Sequence, residues 1–180
     1  KMSGRLGRYV TLSEIVEKAE KLAYEAVDVR SPHLSKEEKE GIARMVGHGA
    51  IKYTLLSVDS MKTVTFDWEK ALNFETNSAP FIQYSHARTC NILKRAEKTP
   101  DPDYEQLVDV KEKELVNLIA HFPEVYERAA EELKPGDITA YANNLADRFS
   151  SFYATQRVID AETEGLIGAR LALVDATRIT

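Results

Sequence analysis

One cysteine, one tryptophan and six prolines are all that the 180 residues hold of these types. Cys90 alone cannot close an internal disulfide, so the chain suits a reducing, cytoplasmic setting. No apolar run approaches the roughly 18 residues that span a bilayer. No charged-then-apolar leader opens the chain either, so no membrane partner is expected. The histidines are His33, His48, His86 and His121, and none falls into an HExxH or Cys/His cluster. No metal site is therefore expected. There is no P-loop, no GxGxxG and no GxSxG. An excess of basic charge is also missing. The net charge of −5 argues against a general nucleic-acid coat and against DNA as a partner.

The chain does hold enough apolar matter for a core, 43% hydrophobic against 29% charged residues. That balance is globular. Local basic patches survive the acidic total. Lys1, Arg5 and Arg8 open the chain without an acid among them, and Arg88, Lys94, Arg95 and Lys98 face only Glu97 in the stretch 81–98. Acids gather at Asp101–Glu114 and Glu124–Asp137. Solvated helix faces are the plain reading of any one such run.

Periodicity and capping signals predict helices throughout. Gly4 and Gly7 mark an opening loop. Thr11-Leu12-Ser13-Glu14 reads as a capping box for a helix to about Val27, and Ser35-Lys36-Glu37-Glu38 as a second box for the next helix. Gly41, Gly47 and Gly49 inside that helix each cost about 1 kcal/mol against Ala, which implies close packing or a break. Val64-Thr65-Phe66 is the one stretch that reads as extended, and Asp67 then caps a short helix carrying Trp68, Leu72 and Phe74. A long helix follows Pro80 to about Ala96. Further helices are expected from Asp103 to Phe122, from Pro123 to Leu133, from an Asp137 cap, and from Ala161 onward. The fold class is all-α, an antiparallel helical bundle. The last helix is apolar almost all round, at Leu166, Ile167, Leu171, Leu173 and Val174. It is expected to leave one face unpaired and prone to self-association.

Three constellations carry chemistry. Lys1-Met2-Ser3-Gly4-Arg5 is a Gly-hinged loop of two cations and a hydroxyl, fit to close on a triphosphate, or else an ordinary surface loop. On the helix from Phe81, the positions of Phe81, Tyr84, Arg88, Asn91 and Arg95 fall within about 80° of one another. Ile82, His86, Thr89, Cys90, Leu93 and Ala96 fill a separate arc, read as the core face. Aromatics beside arginines make a stacking platform for unpaired bases; a second buried face is the alternative. Tyr141, Leu145, Phe149 and Tyr153 form an i+4 row that is mostly core, with Tyr153 at its far end.

In this order and spacing the segments resemble the arginyl-tRNA synthetases, class I enzymes. Lys1-Met2-Ser3-Gly4-Arg5-Leu6-Gly7-Arg8-Tyr9-Val10-Thr11-Leu12 looks like that family's form of the KMSKS loop. Gly49-Ala50-Ile51-Lys52-Tyr53 matches the helix after it. Phe66-Asp67-Trp68-Glu69-Lys70-Ala71-Leu72 and Ala79-Pro80-Phe81-Ile82-Gln83-Tyr84-Ser85-His86-Ala87-Arg88 match the start of the anticodon-binding domain. Phe152-Tyr153 and Ala169-Arg170-Leu171-Ala172-Leu173-Val174 match its end, where the DALR signature lies.

The resemblance implies a parent that joins arginine to tRNA with ATP and Mg, through an arginyl-adenylate. A Rossmann half with its HIGH motif is not in this sequence, so the chain is expected to be inactive alone, with that catalytic half as a partner. Residues 1–57 would be the KMSKS-type loop and a stem-contact segment, and 58–180 the anticodon-binding bundle, cut short at its C-terminus. Lys1, Met2, Ser3 and Arg5 would serve the ATP phosphates, with either Lys1 or Arg5 making the contact. Phe81, Tyr84 and Tyr153 would stack on anticodon-loop bases of the tRNA, with Arg88 and Arg95 on phosphates. Phe81 stands where relatives often carry Tyr, which keeps stacking and loses a phenol hydrogen bond. A helical protein–protein adaptor without RNA binding is the competing reading.

Overall fold

The computed structural model describes residues 10–180; the stretch expected to be a KMSKS-type loop, with Lys1, Met2, Ser3 and Arg5, lies outside the described residues. The described residues form α-helices joined by irregular segments and contain no strand. None of the helices is long and apolar enough to cross a membrane. Contacts divide the chain into two compact units, meeting between Pro80 and Phe81.

In the first unit, α1 spans Leu12–Arg30 and α2 spans Lys36–Leu56. Both start on the capping boxes expected for them. The Glu14 amide donates to Thr11 Oγ1 at 3.2 Å, and Glu14 Oε2 accepts from the Thr11 amide at 2.7 Å. Ser35 and Glu38 repeat the exchange at 3.3 and 2.9 Å. Each box satisfies amides that a helix start would otherwise leave bare. Ala19, Ala23, Ala43 and Ala50 are buried where the two helices meet. Small residues let backbones approach closely. A Cβ on Gly47 would lie 3.0 Å from the backbone carbon of Ala19, so at this position the glycine serves close packing, whereas Gly41 has open space around it.

The stretch Val64-Thr65-Phe66 is irregular rather than a strand. It has no neighbouring strand to pair with, and the Phe66 ring instead tilts against Trp68 at 5.0 Å. Asp67 caps α3, Trp68–Ala71, by accepting from the Lys70 amide. The aromatics around α3 turn back onto α1, with Lys18 Nζ 5.3 Å from the Trp68 ring and the Arg30 guanidinium 4.3 Å from the Phe74 ring. That packing is why the contacts divide the chain after Pro80 rather than directly after α2.

The second unit begins in α4, Ala79–Arg95, and continues with α5 (Val110–Ala120), α6 (Phe122–Glu131), α7 (Pro135–Thr155) and α8 (Glu164–Ile179). Ile92, Leu115, Leu145, Phe149, Phe152 and Val174 meet in its core. Tyr141 joins them and donates its hydroxyl to the Leu118 carbonyl at 3.0 Å. Three helix starts differ from expectation. Asp103 caps only a 3₁₀ turn at Tyr104–Gln106, and α5 starts later on a capping box between Asp109 and Glu112. Lys134 precedes α7 without a side-chain cap, which leaves Asp137 within the first turn. Thr163, not the region of Ala161, caps α8 by accepting from the Leu166 amide at 3.1 Å.

The unpaired apolar face expected of the last helix is also corrected. Leu166, Leu171, Leu173 and Val174 are buried within the unit, and Ile167 packs on the same core. The residue pattern failed to show that α8 is enclosed on several sides. Where it passes the Pro100–Asp101 segment, a Cβ on Gly168 would collide with the Pro100 carbonyl.

Candidate nucleic-acid interface

The arc that α4 buries overlaps the expected one only in part: Thr89 is buried and Leu93 and Ala96 pack against the core, but the centre of the buried face lies elsewhere. Phe81, Ser85, Thr89 and Ile92 are the buried positions, while His86 is exposed and Cys90 and Leu93 are half-buried. At 100° per residue this turns the core face by about 80° relative to expectation. Ser85 and Thr89 are polar in type but small, and Thr89 keeps its hydroxyl satisfied by donating to the His86 carbonyl at 2.7 Å. A side chain satisfied by its own helix enters a core at little cost. The turn carries Phe81 into the interior at 7% exposure. The expected placement of Phe81 on the open aromatic face is thereby corrected: its ring is covered, and the aromatics left open beside Arg88 are Tyr84 and Tyr153.

Those two tyrosines come together around one arginine. Tyr84 is 52% exposed and Tyr153 38% exposed. The Arg88 guanidinium carbon lies 4.6 Å from the Tyr84 ring centroid and 5.3 Å from that of Tyr153. Both distances are within the range at which a ring face attracts a cation. Arg88 Nη2 also donates to the Tyr84 hydroxyl at 2.6 Å. Tyr84 and Arg88 are one helical turn apart on α4, whereas Tyr153 arrives from the last turn of α7. Its ring stacks on buried Phe149 at 6.0 Å and 21° between planes. The platform is thus anchored in the core on one side and open on the other.

Asn91, Lys94 and Arg95 continue along α4 as exposed residues, with Arg95 on the same arc as Arg88, and exposed Lys98 follows the helix end. Aromatic faces, a fixed cation and further free cations suit a chain of stacked bases and phosphates. They do not make a proton-transfer or nucleophilic centre. Among the described residues no group of three or more His, Cys, Asp or Glu is placed to hold a metal ion. Cys90 sits 3.9 Å from the His86 ring nitrogens, half-buried and away from the tyrosine cluster.

Arg157 did not stand out in the sequence. It is exposed, two residues beyond the end of α7, close in sequence to Tyr153. The only signal for it was the helix end itself.

Residues 82–180 match the family described as the DALR anticodon binding domain. Over 177 residues the chain is 44% identical to the arginine–tRNA ligase of Methanothrix thermoacetophila, covering 98% of this chain and 32% of that protein. With the arginine–tRNA ligase of Pyrococcus furiosus the identity is also 44%, over 99% of this chain and 30% of the relative. Among solved structures, the arginyl-tRNA synthetase of Thermus thermophilus superposes with a TM-score of 0.88 at 32% identity, across 99% of this chain and 30% of that one. The chain spans about a third of the length of the relatives it matches.

Proposed function

Because the chain belongs to the DALR anticodon binding domain family, we propose that it is the tRNA-gripping portion of an arginine–tRNA ligase. Residues 58–180 hold the anticodon arm, and residues 1–57 supply the KMSKS-type loop and a segment that touches the tRNA stem. Tyr84 and Tyr153 stack on unpaired bases of the anticodon loop, and Arg88 and Arg95 meet the adjacent phosphates. The observation that carries this is the Arg88 guanidinium held in range of two exposed tyrosine rings, in a domain whose family binds anticodons.

The rest of the reaction falls to the parent protein in its cytoplasmic setting. ATP with magnesium would activate arginine as the adenylate in an N-terminal catalytic half. Lys1, Met2, Ser3 and Arg5 would close over the ATP phosphates from this chain's side, where cations offset charge on the departing pyrophosphate. No step of that chemistry is assigned to residues 10–180.

Filter binding tests the proposal. The 180-residue chain should retain arginine tRNA and lose retention when the anticodon bases are scrambled. Equal retention of both RNAs, or of neither, would contradict it; the latter is what a protein–protein adaptor would give.

A further inference from the structure

Glu112 and Arg170 form an ion pair that is almost wholly out of solvent. Their side chains are 1% and 7% exposed, and Arg170 Nε lies 2.7 Å from Glu112 Oε1. Desolvating two charges costs about as much as their attraction returns, so such a pair is weak support for stability alone. Its geometry indicates another use. Besides Nε, Arg170 donates Nη1 to the Arg157 carbonyl and Nη2 to Gln156 Oε1, both at 2.7 Å. The remaining oxygen of Glu112 accepts from the Asp109 amide at 2.9 Å. One planar fork thus ties α8 and the start of α5 to the two residues that follow α7.

Those two residues lie just past the turn that bears Tyr153. Their own helix has ended, since Gln156 is extended. A segment beyond a helix end has no ladder of its own to hold it. Arg170 supplies that hold through a backbone carbonyl and a neighbouring side chain. The Arg157 side chain is left exposed, and its guanidinium makes no hydrogen bond or ion pair among the described residues.

We infer that Arg170 is a positioning residue for the RNA face: it fixes the Gln156–Arg157 turn so that Arg157 presents its cation to a phosphate beside the base on Tyr153. The inference rests on the reading of Tyr84 and Tyr153 as base-stacking residues. A phosphate contact leaves a signature that packing does not, because it sets the salt dependence of binding.

The test measures binding of the 180-residue chain to a synthetic arginine anticodon stem-loop RNA across a salt series. Arg157→Gln should weaken binding about fivefold near 0.1 M salt and flatten the slope of log affinity against log salt by about 0.7, the single-strand value for one phosphate. Its melting temperature should not move. Arg170→Lys keeps a cation opposite Glu112 but loses the fork. It should reproduce the slope change, and in combination with Arg157→Gln it should add nothing. If Arg170→Lys does not fold, Gln156→Ala removes one acceptor and leaves the ion pair, and it should give a smaller change of the same kind. Tyr84→Ala and Tyr153→Ala are measured alongside. An unchanged slope in Arg157→Gln, with the tyrosine variants weakened, overturns this inference and spares the stacking reading. Additive effects of Arg157→Gln with both other variants overturn it equally. Tyrosine variants that bind as well as the unaltered chain overturn the stacking reading, and this inference with it.

Discussion

Arg88 donates to the hydroxyl of Tyr84 at 2.6 Å while its guanidinium carbon stands 4.6 Å from the same ring. One arginine therefore engages both the edge and the face of a single tyrosine, an arrangement open to the residues because they are four apart on one helix. Half of the Tyr84 surface stays in water all the same. A ring that is oriented but not covered has already lost much of the freedom that binding would otherwise remove. That separates Tyr84 from the covered Phe81 on the same helix, and the two should behave in opposite ways when truncated.

Tyr84→Ala should cost binding and spare the fold. A stacked base is worth about 1–3 kcal/mol by alanine substitution. Affinity for arginine tRNA should therefore fall about 5- to 150-fold at fixed salt. The lost contact with Arg88 limits destabilisation to about 1 kcal/mol. Thermal melting and RNA affinity are measured on the same variant. Early melting with normal binding by the folded fraction would mark Tyr84 as structural.

Phe81→Ala should do the reverse. Emptying the space of a buried phenylalanine costs about 3–5 kcal/mol. The melting temperature should drop by many degrees, and the folded fraction should still distinguish intact from scrambled anticodons. A loss of that discrimination without a loss of stability would return Phe81 to the stacking face.

Features that depend on neighbours a few residues away were legible in the sequence. Thr11 with Glu14 and Ser35 with Glu38 each announce a helix start because donor and acceptor lie within one turn. Asp109 with Glu112 carries the same signal, but the expected helix from Asp103 ran across it. The pairing of aromatics with arginine on α4 could also be read, since Tyr84 and Arg88 share an arc. What failed was the direction of the core. Ser85 looks like a surface residue by type, and only the packed structure shows that its small size admits it to the interior. The meeting of Tyr153 with Arg88 and the burial of Arg170 are long-range contacts, and no local spacing encodes them. The enclosure of α8 was hidden for the same reason.

Two glycines on α2 give a paired test of the close approach between α1 and α2. In Gly47→Ala the new methyl meets the Ala19 backbone at 3.0 Å, and backbone cannot swing aside. Overpacking costs about 1–3 kcal/mol, against a helix-propensity gain of about 1 kcal/mol. A lower melting temperature is expected. Gly41→Ala meets nothing within 4 Å, so it should gain about 0.5–1 kcal/mol and melt later. Equal shifts for both would show that the helices have room between them at Gly47.

Arginine-dependent exchange of pyrophosphate into ATP should remain at background with the 180-residue chain. The sequence holds no nucleotide-binding motif, and on the proposed reading Lys1, Ser3 and Arg5 would assist a leaving pyrophosphate without holding ATP by themselves. Exchange above background that requires arginine would show a complete activation site within these residues.

Arg95→Ala tests the electrostatic half of the interface separately from the stacking half. Arg95 is exposed on the arc of Arg88, and its side chain makes no hydrogen bond or ion pair among the described residues. Melting should stay within about 0.5 kcal/mol of the unaltered chain. A phosphate contact releases counterions whatever the base sequence, so affinity should fall for intact and scrambled anticodons alike. The salt slope should flatten by close to one ion. The contrast with Tyr84→Ala is the informative part. Stacking on an unpaired base does not displace counterions, so the tyrosine variant should keep the full salt slope while losing affinity. If both variants change the slope equally, the tyrosine acts by holding Arg88 in place and the base stacks elsewhere. If neither changes it, the phosphates are met by cations other than those on α4.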